Sequence, residues 1–372
     1  MAVQSGRVAV SDSHQRVEAA IKAFAKGEIV VVTDDDDREN EGDLFVAALH
    51  CTPDKMAFII RNTSGIVCTP LGAEQARRLH LEPMVAANEA PLGTAFTVSV
   101  DVRHGLTTGI SAEERCNTVR ALANDNSGAA DFVRPGHVFP LVAREGGVLM
   151  RSGHTEACVD LCRLASVPPV GVLAELMNDN GSVMRGPEVA AFAQKHKLTQ
   201  VSIAELIGYR QSRDKLVERV GEFSLASEIG KLRGYAYVTP FDRVHHMAFV
   251  YGEIGNGKDV LARLHRADVI GDVFGGAKSI RASLERFKAA GCGVIVYLRD
   301  GTAGVPVLEI PHDGAGVADA ARSRQWREIG LGAQILKDLG ISSIRLLTSS
   351  KRTYVGLGGF GIEIVATETL KN

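Results

Sequence analysis

Apolar positions recur at helical spacing through QRVEAAIKAFA, Gln15 to Ala25, and Gly27 marks the end of that helix. The valines of EIVVV then read as a buried strand, and LFVAA, beyond an acidic loop, reads as a second short one. Asp54–Arg61 and Ala73–Leu79 carry helical spacing, whereas AFTVSVDV, Ala95 to Val102, alternates as a strand does. In RSGHTEACVDLCRLA the stripe of Ala157, Leu161, Leu164 and Ala165 defines a helix entered from a polar turn. LTQVSIAELIGYRQSR carries another helix into the polar stretch Gln211–Glu218. Strands start again beyond it, at GYAYVTP, HHMAFVYGE, DVLARLH, GVIVYL and IRLLT, with helices at Ser279–Ala290 and Glu328–Leu339. No internal repeat is visible. The pattern predicts an α/β (α+β) protein of two mixed α/β domains, residues 1–208 and 220–372, joined by a linker over 209–219.

Composition narrows this picture. A chain of 372 residues with 45% apolar and 5% aromatic residues builds aliphatic cores. Its net charge of −2 gives no pull toward nucleic acid or an anionic membrane, and no basic run with interleaved aromatics supplies a local one. The apolar runs are strand-sized, so no membrane-spanning helix is expected, and the amino terminus lacks the apolar core of a secretory signal. Six scattered cysteines read as free thiols, which points to a cytoplasmic protein. Cys158 and Cys162 have no second ligand pair and read as buried helix-face thiols, not a zinc site.

Three segments carry candidate chemistry. From Asp34 to Asp43 the chain sets seven carboxylates and one arginine in ten positions. Such a run is either a solvated turn or a cation site. A calcium loop of the hand type starting at Asp37 fails, because its twelfth position is Ala48. Magnesium needs only one or two carboxylates plus substrate oxygens and water, which this loop can supply. The second segment, Arg151–Thr155, opens a helix: Thr155 is read as its N-cap, and Gly153 lets a ligand approach the backbone. Helix-start N–H groups with Arg151 favour an anion, and His154 beside them is a metal ligand, a proton carrier or simply a capping residue. The third, Thr107–Ser111, is a hydroxyl-rich turn that suits phosphate or is an ordinary turn. Together they suggest a magnesium enzyme acting on a small sugar phosphate.

DDDDRENEGDL, TAFTVSVD with TTGISAEER, GHVFPL and RSGHTEACVDLCRLA, in this order over residues 12–208, closely resemble the 3,4-dihydroxy-2-butanone 4-phosphate synthase family of riboflavin biosynthesis. The resemblance implies a homodimeric lyase that converts D-ribulose 5-phosphate to 3,4-dihydroxy-2-butanone 4-phosphate and formate with Mg²⁺ or Mn²⁺. It implies Glu39 and His154 as metal ligands, and Arg38, Asp43, Arg151, Thr155 and Glu175 as substrate contacts. Arg151, Gly153 and Thr155 would hold the phosphate, and Glu41 and Cys68 would line the pocket. His137 and Thr108 would reach the partner subunit's site. Asp34–Asp37 receive no role from the resemblance and read as solvated. Drawing an enediol from a ketose needs a base, an acid and a cation. Neighbouring carboxylates can divide the first two tasks, but the sequence does not assign them among Glu41, Asp43 and Glu175.

Residues 220–370 resemble GTP cyclohydrolase II in HHMAFVYGE, LARLH, GDVFG, GVIVYLR and GLGAQILKDLGI. The departures fall on that family's chemistry. Its three zinc cysteines are replaced by Asp268, Ser279 and Arg281, and its catalytic arginine by Ala303 in Gly301–Pro306. A carboxylate, a hydroxyl and a guanidinium do not make a hydrolytic zinc site. The sequence therefore predicts a cyclohydrolase-like domain without zinc or that activity, serving as a scaffold or regulatory module. The alternatives are retained GTP cyclohydrolase II activity, or a partner-binding or ligand-binding module, the latter with a site built from His265, Asp268 and Asp272.

Overall fold

A computed structural model describes residues 4–34, 39–240, 244–299, 330–349 and 361–370. Two units emerge, one centred on Met1–Tyr209 and one on Arg210–Pro311 with Arg324–Asn372.

The first unit runs α1 (Gln4–Ala25), β1 (Val30–Thr33), β2 (Gly42–Ala47), α2 (Pro53–Asn62), β3 (Cys68–Leu71), α3 (Ala73–Arg78), β4 (Val100–Val102) and α4 (Ala112–Leu122). It continues through β5 (Phe132–Val142), α5 (His154–Leu164), β6 (Gly171–Glu175), α6 (Pro187–His196), β7 (Thr199–Ser202) and α7 (Ile203–Arg213). Its strands form one mixed seven-stranded sheet in the order β4-β5-β3-β6-β2-β1-β7. Every residue of β2 is buried, because helices and loops cover both sheet faces. Val31, Leu44, Val46, Val172 and Ala174 lie at the centre of this core. Each buried Val or Leu side chain here contributes about 1.5–3 kcal/mol.

Register places the functional residues. β2 pairs antiparallel with β6 so that Asp43 faces Glu175, and Cys68 of β3 lies opposite Leu173 of β6. Helix α5 lies close to this centre because residue 171 is glycine: a Cβ there would fall 2.2 Å from Cys158 Sγ. Cys158 and Cys162 are free buried thiols on that helix face, as their spacing suggested.

The strand expected over Ala95–Val102 is cut to β4. Phe96 and Thr97 make only isolated bridges, to Leu141 and Pro83. The β4–β5 register slips between Val100 and Asp101, where the backbone of Gly136 presses on Val100. The polar stretch expected as a linker is ordered: α7 runs to Arg213, Arg210 pairs with Asp214 at 2.6 Å, and the next strand starts at Glu218.

The second unit comprises β8 (Glu218–Ser227), β9 (Gly230–Val238), β10 (His246–Tyr251), β11 (Val260–Arg266), α8 (Lys278–Ala290), β12 (Gly293–Leu298), β13 (Ser343–Thr348) and β14 (Glu363–Thr369). Residues 330–338 are also helical. Its seven-stranded sheet has the order β14-β13-β11-β12-β10-β9-β8, parallel at the β14 side and antiparallel at the β8 side. Phe287 of α8 is fully buried and rests where Gly293 leaves space: a Cβ there would lie 2.0 Å from its ring.

Candidate active site

The acidic loop leaves β1 with its first carboxylate turned inward. Asp34 is only 7% exposed, which corrects the expectation that it is solvated. The cause is backbone pairing: Asp34 N–H donates to Glu41 O at 3.2 Å, extending the β1–β2 ladder, while Glu39 N–H donates to Asp34 Oδ2 at 3.2 Å. Asp35, Asp36, Asp37 and Arg38 lie outside the described residues.

Asp34, Glu39 and His154 each offer a ligand atom, and these atoms lie within 4.8 Å of one another. His154 stands between two carboxylates, with Nδ1 3.9 Å from Glu39 Oε2 and Nε2 3.9 Å from Asp43 Oδ1. Its ring meets Phe45 edge-on, with centroids 6.0 Å apart. Asp43 is 2% exposed, and its Oδ1 has no hydrogen-bond partner among the described residues. Burial pushes its carboxyl well above the usual range, and Glu175, Glu39, Glu41 and Asp34 push the same way. Burial, then Glu41, also raises Glu175. An orphaned buried carboxylate among like charges fits a bound cation, and the oxygen and imidazole donors suit magnesium or manganese. The family resemblance implied Glu39 and His154 as metal ligands; the structure sets Asp34 in the same metal-capable group.

Cys68 stands over this cluster, and its thiol is pushed up to about 12 by burial, then by Asp43 and Glu175. The thiol therefore stays protonated beside these carboxylates at neutral pH. Glu41 pairs with Arg185 at 3.1 Å across an isolated bridge. Arg185 lies 144 residues away and gave no signal in the sequence.

The anion site at α5 takes a different form from the one expected. Gly153, in extended conformation, is the N-cap, and no side chain caps the helix; Thr155 is the second helical residue and is buried. The Arg151 guanidinium lies on this turn: a Cβ on Gly153 would fall 2.2 Å from its Nη1. Nη1 donates to Glu156 Oε2 at 2.6 Å, and Nη2 donates to Leu92 O at 3.1 Å and Thr94 Oγ1 at 3.3 Å.

His137 is oriented by a residue that sequence reasoning did not single out. Asp101, buried, faces His137 Nδ1 at 2.7 Å and accepts its backbone N–H at 2.9 Å, which fixes the ring's orientation. Asp101 closes the TAFTVSVD motif, so the signal was present but lacked its partner. Gly109 of the TTGIS turn packs on this pair at φ +87°, where a Cβ would lie 2.2 Å from Asp101 Oδ2.

The hydroxyls of that turn already hold an anion. Glu114 accepts from Thr107 N and Oγ1, both at 2.7 Å, from Ser111 Oγ at 2.8 Å and from Thr108 Oγ1 at 3.4 Å. Ser111 and Glu114 form a reciprocal capping box at the start of α4. These bonds, led by that from the Thr107 hydroxyl, hold the Glu114 carboxyl well below its ordinary range. A depressed acid stabilises the fold above its unfolded pKa, about 4.3, and loses that effect as pH falls through the lower folded value. Wild type should therefore unfold at higher temperature than Glu114→Gln at pH 7, with the gap closing toward pH 2. A gap constant with pH would contradict this.

In the second unit, Asp268, Ser279 and Arg281 each bond within the chain. Asp268 Oδ1 accepts from Gly271 N at 3.0 Å, Ser279 O accepts from Ser283 Oγ at 2.7 Å, and Arg281 pairs with Glu228 at 3.3 Å. His265 and Asp272, considered as a ligand site, bond each other: Nε2 lies 2.9 and 3.0 Å from the two Asp272 oxygens. Tyr297 OH and Asp268 N also donate to Asp272, at 2.7 and 3.0 Å. Burial would raise the Asp272 carboxyl, but these bonds outweigh it and hold it low. Burial in turn holds the His265 imidazole below its usual value. The polar groups are spent on one another. Gly301–Pro306, with Ala303, lies outside the described residues.

A family model described as 3,4-dihydroxy-2-butanone 4-phosphate synthase matches residues 18–209, and one described as GTP cyclohydrolase II matches residues 218–369. The chloroplastic bifunctional riboflavin biosynthesis protein RIBA 1 of Arabidopsis thaliana is 44% identical over 378 residues, spanning 94% of this chain and 68% of its own length. A crystal structure of RibBX, a two-domain 3,4-dihydroxy-2-butanone 4-phosphate synthase from A. baumannii, is 35% identical with a TM-score of 0.78, covering 94% of this chain and 99% of that one. A 3,4-dihydroxy-2-butanone 4-phosphate synthase crystallised with two magnesium ions is 44% identical with a TM-score of 0.52, covering 53% of this chain and 97% of its own.

Proposed function

This chain belongs to the 3,4-dihydroxy-2-butanone 4-phosphate synthase family, lyases of riboflavin biosynthesis, and we propose that its first unit works on D-ribulose 5-phosphate with a divalent cation, magnesium or manganese, at Asp34, Glu39 and His154. The observation that carries this reading is the buried, unpartnered Asp43 Oδ1 beside His154 and ringed by acidic groups. When bound, the cation supplies Lewis-acid stabilisation of negative charge developing on the sugar oxygens. Arg151 and the N–H groups opening α5 hold the phosphate. Glu41, Asp43 and Glu175 surround the reacting carbons; one takes the carbon-bound proton while a neighbour, its pKa raised, returns one. Cys68 keeps that wall uncharged and dry. The bonds of His137 and Thr108 run to Asp101 and Glu114, not to the acidic cluster. Such a division suits a homodimer in which these two residues serve the partner subunit's site.

For the second unit, the bifunctional name of RIBA 1 favours retained GTP cyclohydrolase II activity. Asp268, Ser279 and Arg281 favour its loss, and with it a scaffold role without zinc. Feeding ribulose 5-phosphate and GTP separately, with Mg²⁺ or with Zn²⁺, distinguishes the two readings. Formate is expected from ribulose 5-phosphate with Mg²⁺ and not from GTP. Formate from GTP that a chelator abolishes would restore the bifunctional reading.

A further inference from the structure

Helix α5 carries two buried carboxylates one turn apart, Glu156 and Asp160, and both reach back to the segment that precedes the helix. Asp160 Oδ2 accepts from Val148 N at 2.8 Å, and Gly147, at φ +65°, lies so close that a Cβ would fall 2.1 Å from Asp160 Oδ1. Glu156 uses its two oxygens separately. Oε1 accepts from Arg144 N at 2.9 Å, and Oε2 accepts from Arg151 Nη1 at 2.6 Å. The Arg151 side chain is 13% exposed and Glu156 only 2%, so this is a nearly dry ion pair with a fixed geometry. It presses the guanidinium against Gly153, the residue whose backbone opens α5.

We propose that Glu156 is a positioning residue for phosphate recognition: it acts through Arg151, locking the guanidinium beside the helix-start N–H groups so that both meet one anion. The proposal rests on the functional reading above. An arginine held in place binds an anion without losing side-chain freedom, whereas a released one must be ordered on every binding event.

Glu156→Gln keeps the shape and removes the charge. Losing a charge-assisted bond should raise KM for ribulose 5-phosphate about tenfold, with kcat within about threefold of wild type. In an Arg151→Ala background the same change should add less than about twofold, because its partner is gone. Glu156→Asp, with the charge kept and the arm shortened, should fall between wild type and Glu156→Gln, and it stands in if the glutamine variant does not fold. An unchanged KM, or an equal loss with and without Arg151, would overturn the proposal. Should wild type release no formate from ribulose 5-phosphate, the functional reading falls separately. Calorimetry with inorganic phosphate then tests Glu156 by itself: binding about tenfold weaker in Glu156→Gln supports it, and equal binding overturns it.

Discussion

Glu39→Gln and His154→Ala each reduce formate release from ribulose 5-phosphate by about a thousandfold or more, the equivalent of about 4 kcal/mol of transition-state stabilisation. The size of the effect follows from the arrangement of donors. Asp34, Glu39 and His154 converge within 4.8 Å, and the Oδ1 of the adjacent, buried Asp43 has no hydrogen-bond partner among the described residues. Removing either principal ligand leaves too few donors to hold a cation against water. Asp34→Asn is the subtler variant: it should weaken magnesium binding about 10–100-fold, so that activity returns at high magnesium concentration. Titrating each variant with Mg²⁺ while following formate separates the two behaviours. Wild-type turnover in Glu39→Gln or His154→Ala would show that the cation is held elsewhere.

Asp43→Asn has the opposite effect on stability and activity. Its carboxyl is raised well above the usual range by burial and by four neighbouring carboxylates. A raised acid binds its proton more tightly in the folded state, so the metal-free fold loses stability as pH climbs from about 4 toward the folded value. Asparagine removes that penalty. The metal-free variant should melt about 3 °C above metal-free wild type at pH 8, where a stabilisation of about 1 kcal/mol shows at this domain size. The gap should vanish below about pH 4, where both forms are neutral at this position. Activity should fall at least about a hundredfold, since Asp43 faces Glu175 where protons must move. Melting curves across pH with a chelator present provide the check. A variant less stable than wild type at pH 8 would mean that Asp43 is a structural residue, not a strained functional one.

Local patterns in the sequence foretold the elements that position the site. The valine run became β1, the acidic loop led into β2, and RSGHT opened α5. Glu39 and His154 were reached through family resemblance, and they now stand with Asp34 in one metal-capable group. What escaped the sequence depends on pairing over distance. Asp34 looked like one of four equivalent aspartates, but its ladder bond to Glu41 and the Glu39 N–H bond to its carboxylate accompany an inward turn. Arg185, Asp101 and Glu156 acquire their roles from partners that periodicity does not connect: Glu41, His137 and the Arg151 guanidinium. Thr155 was a sound N-cap by residue type, but the extended backbone of Gly153 takes that position, and the threonine falls at the second helical residue. The Thr107–Ser111 turn shows the limit of residue-type reasoning. Its hydroxyls suit an anion, and Glu114 supplies one from within the chain. In the second unit, GDVFG kept its frame, while Asp272 turned to His265 and Tyr297.

The most direct test of the central claim is the product balance of the purified chain given only ribulose 5-phosphate and Mg²⁺, followed by carbon NMR. The account predicts one formate and one four-carbon ketose phosphate for each ribulose 5-phosphate consumed, because the site must carry the sugar past the enediol to loss of a carbon. Only isomerised five-carbon phosphates, with no formate, would contradict it.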